Sequence, residues 1–146
     1  MTLENELKKF LDQLKTNSGI DSAILITEDG LLITGTNDFN NSSEHLPLAL
    51  EMGAVTASIL SMAERLITLI SANNLNQIVL KTDTNENDVD MISIISSIYS
   101  NVILLVFFPC SLNMGLVLYE IENTKHLISK YLNSNQDIIL HPESVL

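Results

Sequence analysis

The stretch PLALEMGAVTASILSMAERLITLISA, residues 47–72, is the strongest constraint on what this chain can become. It reads as a single long helix. Pro47 suits the first helical position, where its missing N–H costs nothing. At ~1.5 Å per residue the helix would run about 40 Å. Its only charges are Glu51, Glu64 and Arg65. Leu50, Met52, Val55, Ile59, Leu60, Met62, Leu66, Ile67, Leu69 and Ile70 spread apolar surface over most of its circumference. One sheet face buries one stripe of a helix, so the remainder requires a second cover. Gly53, Ala57 and Ser61 fall at i, i+4 and i+8, with Ala54 and Ser58 beside them. Such a strip of small residues admits a second helix at close range, which is the favoured reading. The alternative is that it fits against bulky strand side chains.

A second signal is AILITEDGLLITGT, residues 23–36. Asp-Gly between two apolar runs marks a hairpin, because Gly accepts the positive φ of a tight turn. Ala23, Ile24, Leu25 and Ile26 are apolar on both alternating faces, so both faces need covering. Strands are expected near 22–27 and 31–34.

Before the hairpin, Leu3, Leu7, Phe10, Leu11 and Leu14 recur at helical spacing, with Thr2 as a cap and Gly19 as a stop. After the long helix, residues 77–81 (QIVLK) form a strand, and 90–99 and 102–109 form two more that meet at Ser100-Asn101. The run VILLVFF is continuous hydrophobe and reads as a central strand covered on both sides. Ser111 can cap a last helix whose stripe is Met114, Leu118, Ile121, Ile128 and Leu132, flanked by Leu127 and Tyr131. The expected architecture is a three-layer α/β/α sandwich of the α+β kind. Its five-stranded sheet is mixed or antiparallel, in the order α-β-β-α-β-β-β-α. Residues 1–132 form one domain, and residues 133–146 a tail in which Ile138, Ile139 and Leu140 are the docking candidates.

The chain has 146 residues, 46% hydrophobic, and a formal charge of −11. The acidity disfavours nucleic acid and anionic lipid as partners. A single cysteine, Cys110, leaves no internal disulfide framework, and it reads as a buried small hydrophobe of a cytoplasmic protein. The N-terminal MTLENELKKFLDQL is charged and amphipathic, unlike a secretory signal. No charge falls between Met91 and Tyr119, but Pro109 and several Ser and Asn interrupt that span, so direct membrane insertion is not expected.

Chemistry-bearing patterns are scarce. His45, His126 and His141 have no Cys or His at metal spacing. No glycine-rich phosphate loop occurs. Asp83, Asn85 and Asn87 partly match a calcium loop. The match fails at Asp88, where Gly is required, and at Ile94, where Glu should ligate, so residues 82–88 read as a solvated hairpin loop. No catalytic residue, metal or cofactor is assigned.

The order of elements and two segments resemble the roadblock (dynein light chain roadblock type) domain family. GIDSAILITEDGLLITGT, residues 19–36, is similar to the family's opening glycine turn, strand, D-G turn and strand. LNMGLVLYEIENTKHLISKYL, residues 112–132, is similar to its closing helix. The likeness spans about residues 3–132. It implies a non-enzymatic protein that dimerises, with long helices side by side and third strands paired into one sheet. It also implies a platform for a Ras-like small GTPase. On that footing Gly53, Ala57, Leu60, Ser61, Ile78, Val79 and Leu80 are the expected dimer interface, in a homodimer or a heterodimer with a related chain. Glu51, Ser58, Glu64, Arg65 and Thr68 are the expected partner-binding residues. Arg65 is the only arginine, so direct donation of an arginine finger would depend on it alone. Two other functions fit the sequence: an adaptor subunit of a larger complex without a GTPase, and a small-molecule sensor of PAS or GAF type.

Overall fold

The computed structural model describes residues 2–36, 39–40, 43–83, 90–99 and 101–135. Asn85, Asn87, Asp88, Ser100, residues 138–140 and His141 lie outside the described residues.

Helix α1 spans Leu3–Ser18. The Thr2 side chain accepts a hydrogen bond from the Asn5 N–H at 3.1 Å, closing one orphan donor of the first turn. Gly19 ends the helix in the left-handed region at φ 81°, and its N–H bonds the Lys15 carbonyl. Strands β1 (Ser22–Thr27) and β2 (Leu32–Gly35) form the hairpin. Gly30 supplies the positive φ, 90°, that the turn needs.

Helix α2 spans Leu46–Ile70 with Pro47 in its first turn. It is followed by β3 (Gln77–Lys81), β4 (Met91–Ile98), β5 (Val102–Pro109) and helix α3 (Met114–Ser134). The cap of α3 is Asn113, whose side chain accepts from the Leu116 N–H, rather than Ser111. The buried stripe of α3 is Val117, Ile121, Thr124, Ile128 and Leu132. Met114 and Leu118 are only partly covered, so the burial axis lies slightly round the helix from the expected stripe.

The five strands form one antiparallel sheet in the order β2-β1-β5-β4-β3. The run VILLVFF is the central strand, as its unbroken hydrophobicity requires. Residues of β1 alternate between two cores. Ala23 and Leu25 join Leu7, Leu11, Leu14, Ile121 and Ile128 under α1 and α3. Ile24 and Ile26 join Ala57, Leu60, Ile103 and Leu105 under α2. The hairpin is thus apolar on both faces because a helical layer covers each.

The uncharged span after Met91 is taken up by β4, β5 and the start of α3. Among the described residues, α2 is the one helix long and apolar enough to cross a membrane. It packs against the sheet through Ala49, Gly53, Thr56, Ala57 and Leu60. Cys110 is exposed just past the end of β5, not buried as expected, because the strand has already left the core there.

Candidate partner-binding face

The long helix lies toward one side of the sheet, although Ala57 and Leu60 reach Ile103 and Leu105 of the central strand. Its closest approach is to β1 and β2. Gly53 and Ala57 of the small-residue strip face those strands, which corrects their assignment to a partner helix, whereas Ala54, Ser58 and Ser61 are exposed. Gly53 is pressed against the Gly30 turn and Ile26. Ala57 and Leu60 are 8% and 4% exposed in the core with Ile24 and Ile103. These three residues are therefore not open to a second chain. Ser61, the fourth α2 residue of the expected dimer interface, is exposed. It borders a hollow shared with Glu28, Asp29 and Glu64, on the hairpin side of the helix. Small side chains here let the helix approach the β-branched residues of β1, which is the alternative reading of the strip.

On the opposite flank the helix is bare. Leu48, Val55, Met62, Leu66 and Leu69 are between 47% and 79% exposed. Together with the half-buried Met52 and Ile59 they recur at alternating spacings of four and three residues over almost the full length of α2. That is the spacing of a seam that takes another helix. Each such side chain, if covered, would contribute roughly 1 kcal/mol or more. This seam is the feature that the sequence reading missed. Counting apolar residues round the helix showed an excess, but the four-three repeat within them was the signal that locates it.

The seam overlooks a groove of about 570 Å³ between α2 and the β3–β4 side of the sheet. Leu48, Met52, Val55 and Ile59 form one wall, and Leu80, Met91, Ile95 and Leu105 belong to the sheet beneath. Beyond the groove lies β3, an edge strand that pairs with β4 on one side only. Ile78 is half-buried against the α2-side core, whereas Val79 and Leu80 are 39% and 42% exposed. An exposed apolar edge strand invites pairing with another chain.

The expected partner-binding residues Glu51, Ser58, Glu64, Arg65 and Thr68 are all exposed on α2. They do not form one cluster. Glu51 rims the apolar groove, whereas Glu64 and Thr68 border a polar hollow with Asn73, Asn74 and Ser97. Ser58 and Thr68 return their hydroxyls to the helix, donating to the carbonyls of Ala54 and Glu64.

Charge is unevenly shared between the layers. Helices α1 and α3 each balance acidic with basic residues. Residues 19–113 hold eleven acidic and two basic ones, so the sheet, α2 and their loops carry most of the net negative charge. Among the described residues no group of three or more His, Cys, Asp or Glu is placed to hold a metal ion.

Comparison with known proteins returns a consistent fold. The sequence profile of the Roadblock/LC7 domain matches residues 6–106. Myxococcus xanthus MglB superposes with a TM-score of 0.74 at 18% identity, covering 92% of each chain. A Roadblock/LC7 domain from Streptomyces avermitilis gives 0.73 at 17% identity, covering 86% of this chain and 96% of that one. The gliding protein MglB from Thermus thermophilus gives 0.69 at 14% identity, covering 89% and 91%. At such identities the structural likeness is one of fold. Comparison with curated protein sequences returns no significant match. With the family profile matching more than half its length, this chain belongs to the Roadblock/LC7 domain family.

Proposed function

We propose that this protein is a non-enzymatic dimeric platform that binds a Ras-like small GTPase through the exposed face of its long helix α2. The observation that carries the dimer is the bare seam on α2, contiguous with an apolar groove and an unpaired β3 edge. Two copies joined along this side would extend the sheet through β3 and cover each other's seam. Gly53, Ala57 and Leu60 take no part, being buried within the protomer; Val79 and Leu80 remain in the interface.

A Ras-like partner is the typical client that resemblance to roadblock domains implies. The exposed α2 side chains, with Glu64 and Thr68 foremost, are the surface available to it. The negative charge around α2 favours a GTPase that approaches with a basic surface.

The test is a pull-down of Ras-like proteins of the source organism, loaded with GDP or a GTP analogue, alongside sedimentation of the free protein. Retention of one GTPase with a preference between nucleotide states is the expected result. A dimer that retains no GTPase in either state would leave the adaptor reading in its place. A small molecule that raises the melting temperature while the protein stays monomeric would favour a sensor that uses the groove as its pocket.

A further inference from the structure

We propose that the C-terminal run Ile138-Ile139-Leu140 of this chain docks beneath the free end of α2, covering the part of the helix that projects beyond the sheet. The stripe concerned is not the seam, so docking there needs neither a dimer nor a GTPase.

The face of α2 that the sheet buries includes Ala49, Gly53, Thr56 and Leu60, at spacings of four, three and four residues. The same repeat continues to Ala63, Ile67 and Ile70, but burial stops. No residue of α2 after Leu60 is buried. Ala63 and Ile67 are half-buried, and Ile70 is 71% exposed. The cause is the length of the sheet. Leu60 and Glu64 border a hollow with Ile103, and Glu64 and Thr68 border another with Ser97. Ser97 pairs with Ile103 one register step before the last pair of β4 and β5, Ile98 with Val102. The helix runs about 15 Å further from Leu60 to Ile70. Its last turns therefore overhang the end of the sheet with an apolar underside that no strand covers.

The chain leaves α3 at that same end. The hydroxyl of Tyr99, one residue past β4, donates to Asn133 Oδ1 at 3.2 Å. This bond ties the last turn of α3 to the β4–β5 turn, and Asn135 caps the helix there. Residues 136–146 follow, and Ile138-Ile139-Leu140 is their only run of three apolar residues. Ile138 stands three residues and Leu140 five residues beyond Asn135, a reach of roughly 10 Å and 17 Å. Rounding the end of the sheet takes one layer spacing, on the order of 10 Å. The Met91 end of the large apolar groove is about 24 Å from Ile98 along β4, out of reach of these three side chains. Reach therefore matches the run to the underside of α2 and not to that end of the groove. A tethered segment also needs little intrinsic affinity, because a short flexible tether holds it at an effective concentration of millimolar order.

The experiment is disulfide capture in the full chain. Cys110→Ser removes the native thiol, and Ile70→Cys with Ile139→Cys places one thiol on each side of the contact. A far-ultraviolet melt verifies folding. Isotope-labelled and unlabelled chains are mixed, mildly oxidised and read by mass spectrometry. The bridge should form within single chains, roughly tenfold faster than for the control pair Leu50→Cys with Ile139→Cys, whose helical position lies about 30 Å away. Ile138→Asp with Leu140→Asp, added to Cys110→Ser and Ile70→Cys, should speed alkylation of the thiol at position 70 severalfold. Bridges between labelled and unlabelled chains would assign the cover to another copy and overturn the intrachain contact. A bridge no faster than the control's, or alkylation unmoved by the aspartates, would leave the underside to a separate partner and overturn the proposal. Neither readout requires self-association, so a monomeric wild type would remove the dimeric reading and leave this contact standing.

Discussion

The carbonyl oxygen of Gly30 lies 2.9 Å from the point where a β-carbon on Gly53 would stand. Real β-carbons essentially never approach a backbone atom that closely, and Ile26 Cγ2 crowds the same point at 3.0 Å. The hairpin turn and the long helix thus meet backbone to backbone, and this contact fixes how far α2 leans toward β1 and β2. Gly53→Ala sets a helix-propensity gain of about 1 kcal/mol against an overpacking cost of about 1–3 kcal/mol. Because the obstacle is backbone, the cost should win, with a net loss of up to about 2 kcal/mol. Urea unfolding at fixed protein concentration measures it, and a variant more stable than wild type would contradict the contact.

Leu66 and Ala57 should respond in opposite ways. Leu66 is 56% exposed on the seam, so Leu66→Glu should leave the protomer's melting nearly unchanged while abolishing self-association. Ala57 faces the core with Ile24 and Leu105. Ala57→Arg would drive a charge into that core and destabilise the protomer itself by roughly 2–4 kcal/mol. Sedimentation combined with thermal melting separates the two effects. A Leu66→Glu variant that still dimerises would place the interface elsewhere.

Thr34 is fully buried on β2, and its hydroxyl has no hydrogen-bond partner among the described residues. A buried hydroxyl left unpaired costs about 1–3 kcal/mol, and Thr34→Val removes it at nearly constant shape. The variant should be as stable as wild type or about 1 kcal/mol more stable in urea unfolding. A loss of stability would mean that the hydroxyl is satisfied in solution.

Tyr131 packs edge-on against Phe10 with ring centroids 5.9 Å apart. Partial burial, helped by the Glu6 carboxylate, raises its phenol above the ordinary value of 10.0. The unfolded phenol therefore ionises first as pH rises. The stabilisation from keeping it neutral is complete below about pH 10 and is lost as pH climbs through the folded-state value. Tyr131→Phe should flatten part of that alkaline fall in melting temperature, while leaving the neutral-pH curve almost unmoved. An equally steep fall in the variant would assign the loss to other groups.

Much of the architecture is legible residue by residue. Thr2 and Gly19 bracket α1, Gly30 turns the hairpin, and the unbroken apolar run after Asn101 announces the central strand. These are local rules of capping, turn geometry and periodicity, and the chain obeys them where they are strongest. The candidate site is legible only in outline. The excess of apolar residues on α2 shows that something besides one sheet face must cover it. The excess does not say which stripe is left bare, and the expected interface residues Gly53, Ala57 and Leu60 lie instead on the buried side of the helix. The register of a helix about its own axis is a tertiary quantity, set here by the Gly30–Gly53 approach between segments that local pattern rules treat separately.

What the sequence alone determines is therefore the inventory of elements, their order, and the surplus of hydrophobic surface on residues 47–72. Periodicity and turn chemistry act over a few residues, and their record is local. What the tertiary structure decides is the direction of that surplus. Packing against β1 consumes Gly53 and Ala57 and leaves Leu48, Val55, Met62, Leu66 and Leu69 bare, the first two of them lining the groove beside β3. Steric fit between elements far apart in the chain makes that choice, because only the smallest face of α2 can come close enough to the hairpin turn.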